Sequence, residues 1–115
     1  MSKKESTNLM DLIPVQNVDC TTNEKNLIVL LKPKFNNRVF KKHVLPKMKR
    51  PNYKINLDTF GTSVWNAING KNTVAEIGDV LRNEFGEKIE PVYERLGLFI
   101  KMLEKNKLIV YKNYH

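Results

Sequence analysis

The chain has 115 residues, 41% hydrophobic and 28% charged, with 20 Lys and Arg against 12 Asp and Glu for a formal net charge of +8. That length suits one domain around one core and leaves no room for a second. Its longest apolar run, Leu27 to Leu31, falls far short of the roughly 20 residues that span a bilayer, and its polar, Lys-bearing first residues lead us to expect no signal peptide.

The single cysteine, Cys20, allows neither an intrachain disulfide nor a thiolate metal set, so a reducing cytoplasm is the expected compartment. The excess positive charge suits nucleic acid, an anionic membrane or an acidic polypeptide. It is unevenly spread: between Lys32 and Lys54 there are nine Lys and Arg and no acidic residue, whereas Glu76 to Glu94 is mostly acidic.

Residues 1–10 lack an apolar period and read as a flexible tail, followed by one domain over 11–115. Ile13 to Val18 and Leu27 to Leu31 read as two strands joined by a turn over Thr21 to Asn26. A basic excursion at about 34–51 follows, too sparse in large apolar residues to form a regular element; Lys41, Lys42, Lys47, Lys49 and Arg50 make its basic patch. Tyr53, Lys54, Ile55, Asn56 and Leu57 alternate apolar and polar, as a strand with one face on the core requires.

Asp58 or Thr59 can cap a first helix with apolar positions Phe60, Val64, Trp65 and Ile68, stopped by Asn69-Gly70. Thr73 and Glu76 form a capping-box pattern that opens a second helix through Ile77, Val80, Leu81 and Phe85 to Gly86. A third begins near Glu90, with Pro91 in its first turn and Val92, Leu96, Phe99, Ile100 and Leu103 on one face. Leu108 to Tyr111 closes the chain as a short strand or wing. The sum is a winged helix-turn-helix-like α+β domain: small N-terminal antiparallel strands, a three-helix unit and a short C-terminal strand.

The stretch from Leu57 to Ile77, with Trp65 in the first helix, the Asn69-Gly70 turn and the Thr73-capped second helix, resembles the central motif of the PqqD-like family, relatives of pyrroloquinoline quinone synthesis protein D. The ending from Leu103 to Ile109 is similar to that family's closing segment. Two departures stand out: Asn69 where the family usually has Asp, and a basic excursion longer than the usual hairpin. The resemblance implies a non-catalytic peptide chaperone, a recognition element for ribosomally made, modified peptides. It would bind a precursor's leader as an added strand on the third strand's edge, against the third helix, and present it to a modifying enzyme such as a radical S-adenosylmethionine maturase.

The residues suit that role, since an edge strand offers unpaired backbone groups for strand addition while side-chain pockets select. Tyr53 to Leu57 is the natural edge. On the third helix Arg95, Leu98 and Met102 form a stripe beside the core face, and Gly97 would permit another backbone to come close. Acidic leader residues would be drawn to the basic excursion. An exposed edge also allows pairing with a second copy, so a homodimer is compatible with the sequence.

Trp65 reads as a core anchor rather than a ligand platform. His43 and His115 lack Cys or carboxylate neighbours at ligand spacing, and neither Ser63 nor Cys20 sits in a nucleophile motif. We therefore expect no metal, no cofactor and no enzymatic activity. The alternatives are a winged-helix DNA-binding protein and a structural subunit of a larger complex. Against DNA, the helix in the recognition position opens with Glu87, Glu90 and Glu94, whose carboxylates would face phosphates.

Overall fold

The computed structural model describes residues 8–33 and 52–113. The basic patch of Lys41, Lys42, Lys47, Lys49 and Arg50 lies outside the described residues, as do most of the expected tail and the excursion as a whole. The described chain runs β1 (Pro14–Gln16), β2 (Asp19–Thr22), β3 (Ile28–Pro33), β4 (Asn52–Asn56), α1 (Thr59–Ala67), α2 (Val74–Phe85), α3 (Val92–Lys105) and β5 (Ile109–Tyr111). This is the expected α+β layout of antiparallel strands, three helices and a terminal strand. The longest helix is α3, and no helix among the described residues is long and apolar enough to cross a membrane.

Strand pairing departs from the expected simple hairpin. β1 pairs antiparallel with β5, Val15 opposite Val110, while the three-stranded sheet is ordered β2-β3-β4. Thr21 and Thr22, read as turn, belong to β2 and lie opposite Val29 and Ile28. The turn is Asn23 to Asn26, where the Asn23 side chain accepts from the backbone N–H groups of Lys25 and Leu27 and so does locally what a longer loop would otherwise do. The tail also ends earlier than expected. Leu9–Asp11 form a 3₁₀ turn capped by Asn8, and Leu9 and Met10 pack against the core.

Local chemistry sets the helix ends. Asp58 caps α1 by accepting from Gly61 N–H at 2.7 Å, and Thr73 with Glu76 completes the capping box of α2. The carbonyls left over at the end of α1 are taken from a distance: Gln16 Nε2 donates to Trp65 O and Ile68 O, and Asn72 Nδ2 to Ala67 O. Gly70 supplies the left-handed turn, at φ 77°. At the start of α3 the cap position is Pro91, which has no side-chain donor or acceptor, and the preceding Glu90 carboxylate accepts from Val92 N–H instead.

The core gathers Leu30, Val64, Trp65, Ile77, Leu81, Leu96, Ile100 and Leu103 between the sheet and the three helices, with Trp65 at its centre as expected. On α2, however, the inward face is Val74, Ile77, Gly78 and Leu81, and Val80, expected on the stripe, is exposed. The reason is Tyr93. Its ring lies directly over Gly78, where a Cβ would come within 2.5 Å of Cε1, so α3 approaches α2 along the glycine. The Tyr93 hydroxyl donates to Asp79, and the Arg82 guanidinium stands 4.9 Å from the ring centroid.

One buried polar contact joins sheet to helix: Ile28 N–H donates to Thr62 Oγ1 at 2.9 Å. Thr62→Val keeps the shape and removes the acceptor, so denaturant unfolding should show a loss of about 1–3 kcal/mol, the cost of a buried donor left unpaired; Thr62→Ser should lose less. Gly78→Ala should forfeit the gain of about 1 kcal/mol that Gly→Ala gives in an open helix and destabilise instead. The gain should reappear in a Tyr93→Ala background. Arg82, joined to Glu90 at 2.8 Å, and secondly Val92 N–H hold the Glu90 carboxyl below its ordinary value of 4.5. That stabilisation is complete above this value and is lost as pH falls through the lowered one. The stability gap between wild type and Glu90→Gln, measured by urea unfolding, should therefore be flat at neutral pH and close in acid.

Candidate functional site

β4 forms one margin of the three-stranded sheet, and no other described strand lies beyond it. Its register with β3 places Ile55 opposite Leu30 and Tyr53 opposite Lys32, and Leu57 N–H continues the ladder by donating to Ile28 O at 2.9 Å. Backbone groups alternate sides along a strand. With Leu57, Ile55 and Tyr53 turned toward β3, the N–H and C=O groups of Lys54 and Asn56 are directed away from the sheet. Side chains at every second position share a face, and along the face of Leu57, Ile55 and Tyr53 cover falls away from the helices: Leu57 is buried, Ile55 half-buried, and Tyr53 55% exposed.

The three helix residues singled out from sequence share a face of α3. Arg95, Leu98, Phe99 and Met102 stand at i, i+3, i+4 and i+7. Phe99 sets the inner margin of this face. It packs edge-on against Phe60, ring centroids 5.8 Å apart, and its Cζ lies 3.1 Å from where a Cβ on Gly61 would be; Leu57 Cβ stands 3.2 Å from the same point. Gly61 therefore lets the end of β4 and the flank of α3 meet across the first turn of α1. Beyond Phe99 the face opens to solvent, with Leu98 73% exposed and Met102 36%.

Arg95 does not extend freely. Its guanidinium stacks 4.7 Å from the Phe60 centroid and donates to Ile89 O at 3.3 Å. Gly97 does not serve as expected: it points to the other flank, where Leu9 Cδ2 lies 3.8 Å from its missing Cβ, so the chain's own N-terminal turn holds that approach. Three contributors carried no such signal in the sequence. Phe60 and Phe99 read from spacing as core positions alone, because spacing reveals which side of a helix is apolar but not how completely it is covered. The third is a cleft of about 210 Å³ at the Thr59 end of this face, between the start of α1, the end of α2 and Arg95. Lys88 and Ile89, in the 3₁₀ turn Gly86–Ile89, complete its wall and carried no sequence signal.

At the front of α3 the Glu90 carboxylate is engaged locally, with both Arg82 and Val92 N–H. Arg82–Glu90 is the ion pair formed among the described residues. Cys20 is exposed on β2, and Ser63 Oγ donates to the Glu84 carboxylate at 2.9 Å.

The family model of coenzyme PQQ synthesis protein D (PqqD) matches residues 42–109, which take in β4, the three helices and the start of β5. Neither a curated protein nor a solved structure matches the chain at a significant level. With that match over more than half of its length, and with the Trp65 helix, the Asn69-Gly70 turn and the Thr73 cap all inside it, the chain belongs to the PqqD family.

Proposed function

We propose that the protein is a non-catalytic recognition module that binds the leader of a ribosomally made precursor peptide and presents it to a modifying enzyme, such as a radical S-adenosylmethionine maturase. The observation that carries this reading is the position of β4, at the margin of its sheet, with Leu57 at its end meeting Phe99 of α3 over Gly61 and the partly apolar Leu98 and Met102 on the same helix face. The leader adds as a strand along β4, satisfying the outward groups of Lys54 and Asn56, and its side chains rest alternately on Tyr53 and Ile55 and on Leu98, Phe99 and Met102. Backbone pairing supplies affinity that any extended peptide can share, and the helix face supplies choice. Membership of the PqqD family supports an accessory rather than a catalytic role. The basic patch of Lys41, Lys42, Lys47, Lys49 and Arg50, which lies outside the described residues, would attract acidic leader residues.

A DNA-binding role fits the net charge but not its arrangement. Glu87, Glu90 and Glu94 bring three carboxylates to the start of α3 against two cations, Lys88 and Arg95, and Arg82, the arginine on α2, is already held by Glu90. A duplex approached by this helix end would meet carboxylates first.

Amide-resolved NMR titration compares peptides encoded beside the gene with a generic DNA duplex at two salt concentrations. Saturable shifts along Tyr53 to Leu57 and Arg95 to Met102 with peptide, only partly weakened by salt, are the expected result. Shifts with DNA alone, abolished at high salt, would replace the proposal with a nucleic-acid role. Lys54→Pro removes one outward N–H and leaves the ladder to β3 intact. It should keep the fold by circular dichroism and weaken the peptide about fivefold to tenfold, the worth of roughly one backbone hydrogen bond.

A further inference from the structure

We propose that the cleft at the Thr59 end of β4 is a specificity pocket for one large apolar peptide side chain with a carboxylate next to it. This rests on the strand-addition reading and adds to it what the bound peptide must contain. The cleft, about 210 Å³, is floored by Phe60, Phe85 and Ile89 and flanked by Lys88 and Arg95. A void several times the roughly 30 Å³ share of a single water is room for a leucine- or phenylalanine-sized group.

Charge decides the neighbour. Lys88 is exposed and has no hydrogen-bond or ion-pair partner among the described residues, and Arg95 bonds only to the Ile89 carbonyl. Two cations therefore flank an apolar floor with no carboxylate among the described residues committed to either. Glu87, beside Lys88 in sequence, does not line the cleft. The contrast with Arg82 is direct, since that guanidinium is neutralised by Glu90. A ligand that places an apolar group on Phe60 and a carboxylate between Lys88 and Arg95 completes both halves, and Arg95, already stacked on Phe60, loses little freedom in doing so.

Position in the fold fixes where in the peptide this pair lies. β4 runs from Asn52 to Asn56 and leads through Leu57 and Asp58 into Thr59 and Phe60, the cleft wall. The sheet is antiparallel throughout. A strand added antiparallel to β4 has its N-terminal end beside Asn56, so the pair precedes the strand-forming segment.

The test is selection from a random-peptide display library on the whole protein, on Lys88→Glu, and on Lys71→Glu as a control for net charge at an exposed site remote from the cleft. Wild type and Lys71→Glu should enrich peptides with an apolar-acidic pair upstream of a β-prone segment. Lys88→Glu should retain the β-prone segment and lose or invert the acidic preference. For one selected peptide, changing its acidic residue to Lys should weaken wild-type binding about fivefold, as a partly exposed ion pair predicts, and Lys88→Glu should restore it. Enrichment of β-prone peptides that is identical for wild type and Lys88→Glu overturns the pocket and leaves strand addition standing. No enrichment of β-prone peptides by any of the three proteins overturns strand addition and the pocket with it.

Discussion

The arrangement hangs on Ile28. Its N–H is held by the buried Thr62 hydroxyl and its C=O by Leu57 N–H, so one residue of the central strand grips both the middle of α1 and the strand end that leads into α1. Both bonds are shielded from water, which makes each costly to leave unmade. Because α1 follows β4 after only Leu57 and Asp58, pinning α1 to β3 also fixes how β4 lies against the helices. The margin of the sheet is thereby held beside α3 rather than splayed from it.

Two glycines then decide how closely the helices come. At Gly61 the end of β4, the Asp58 cap and Phe99 converge within 3.1–3.3 Å of the absent Cβ, and at Gly78 the Tyr93 ring occupies the space a side chain would need. Close approach on these two lines buries one side of α3 and leaves Leu98 largely, and Met102 partly, exposed. Apolar residues stranded at the edge of a well-packed core, next to a strand margin, are what a peptide-binding groove consists of. The same packing that stabilises the domain thus produces the surface on which it is proposed to work.

Charge is divided to match. On the α2–α3 side, Arg82, Glu90, Asp79 and Tyr93 satisfy one another and consolidate the turn between the two helices. Toward the β4 side, Lys88 and Arg95 remain without acidic partners among the described residues. Surface ion pairs contribute little to stability, so an unpaired cation costs the fold almost nothing. On the proposed reading it biases which peptide can settle there.

Much of this was legible in the chain itself. Asp58, Thr73 with Glu76, and the Asn69-Gly70 turn mark helix ends by hydrogen bonds made within a few residues, and the apolar spacing of Val64, Trp65, Leu96 and Ile100 marks faces by geometry that local sequence dictates. Tyr53 to Leu57 announced a one-sided strand in the same way, and the family motif lay within that legible half. What depended on distant partners was not readable: β1 pairing with β5 across the whole domain, Thr21 and Thr22 entering a ladder, Val80 yielding its place to Gly78, and Leu9 occupying the approach to Gly97. Each follows from two segments far apart in sequence competing for the same space, and only the folded core decides between them. The cleft at Thr59 belongs to that second kind, since its walls come from three helices and a turn, and no single stretch of sequence carries its shape.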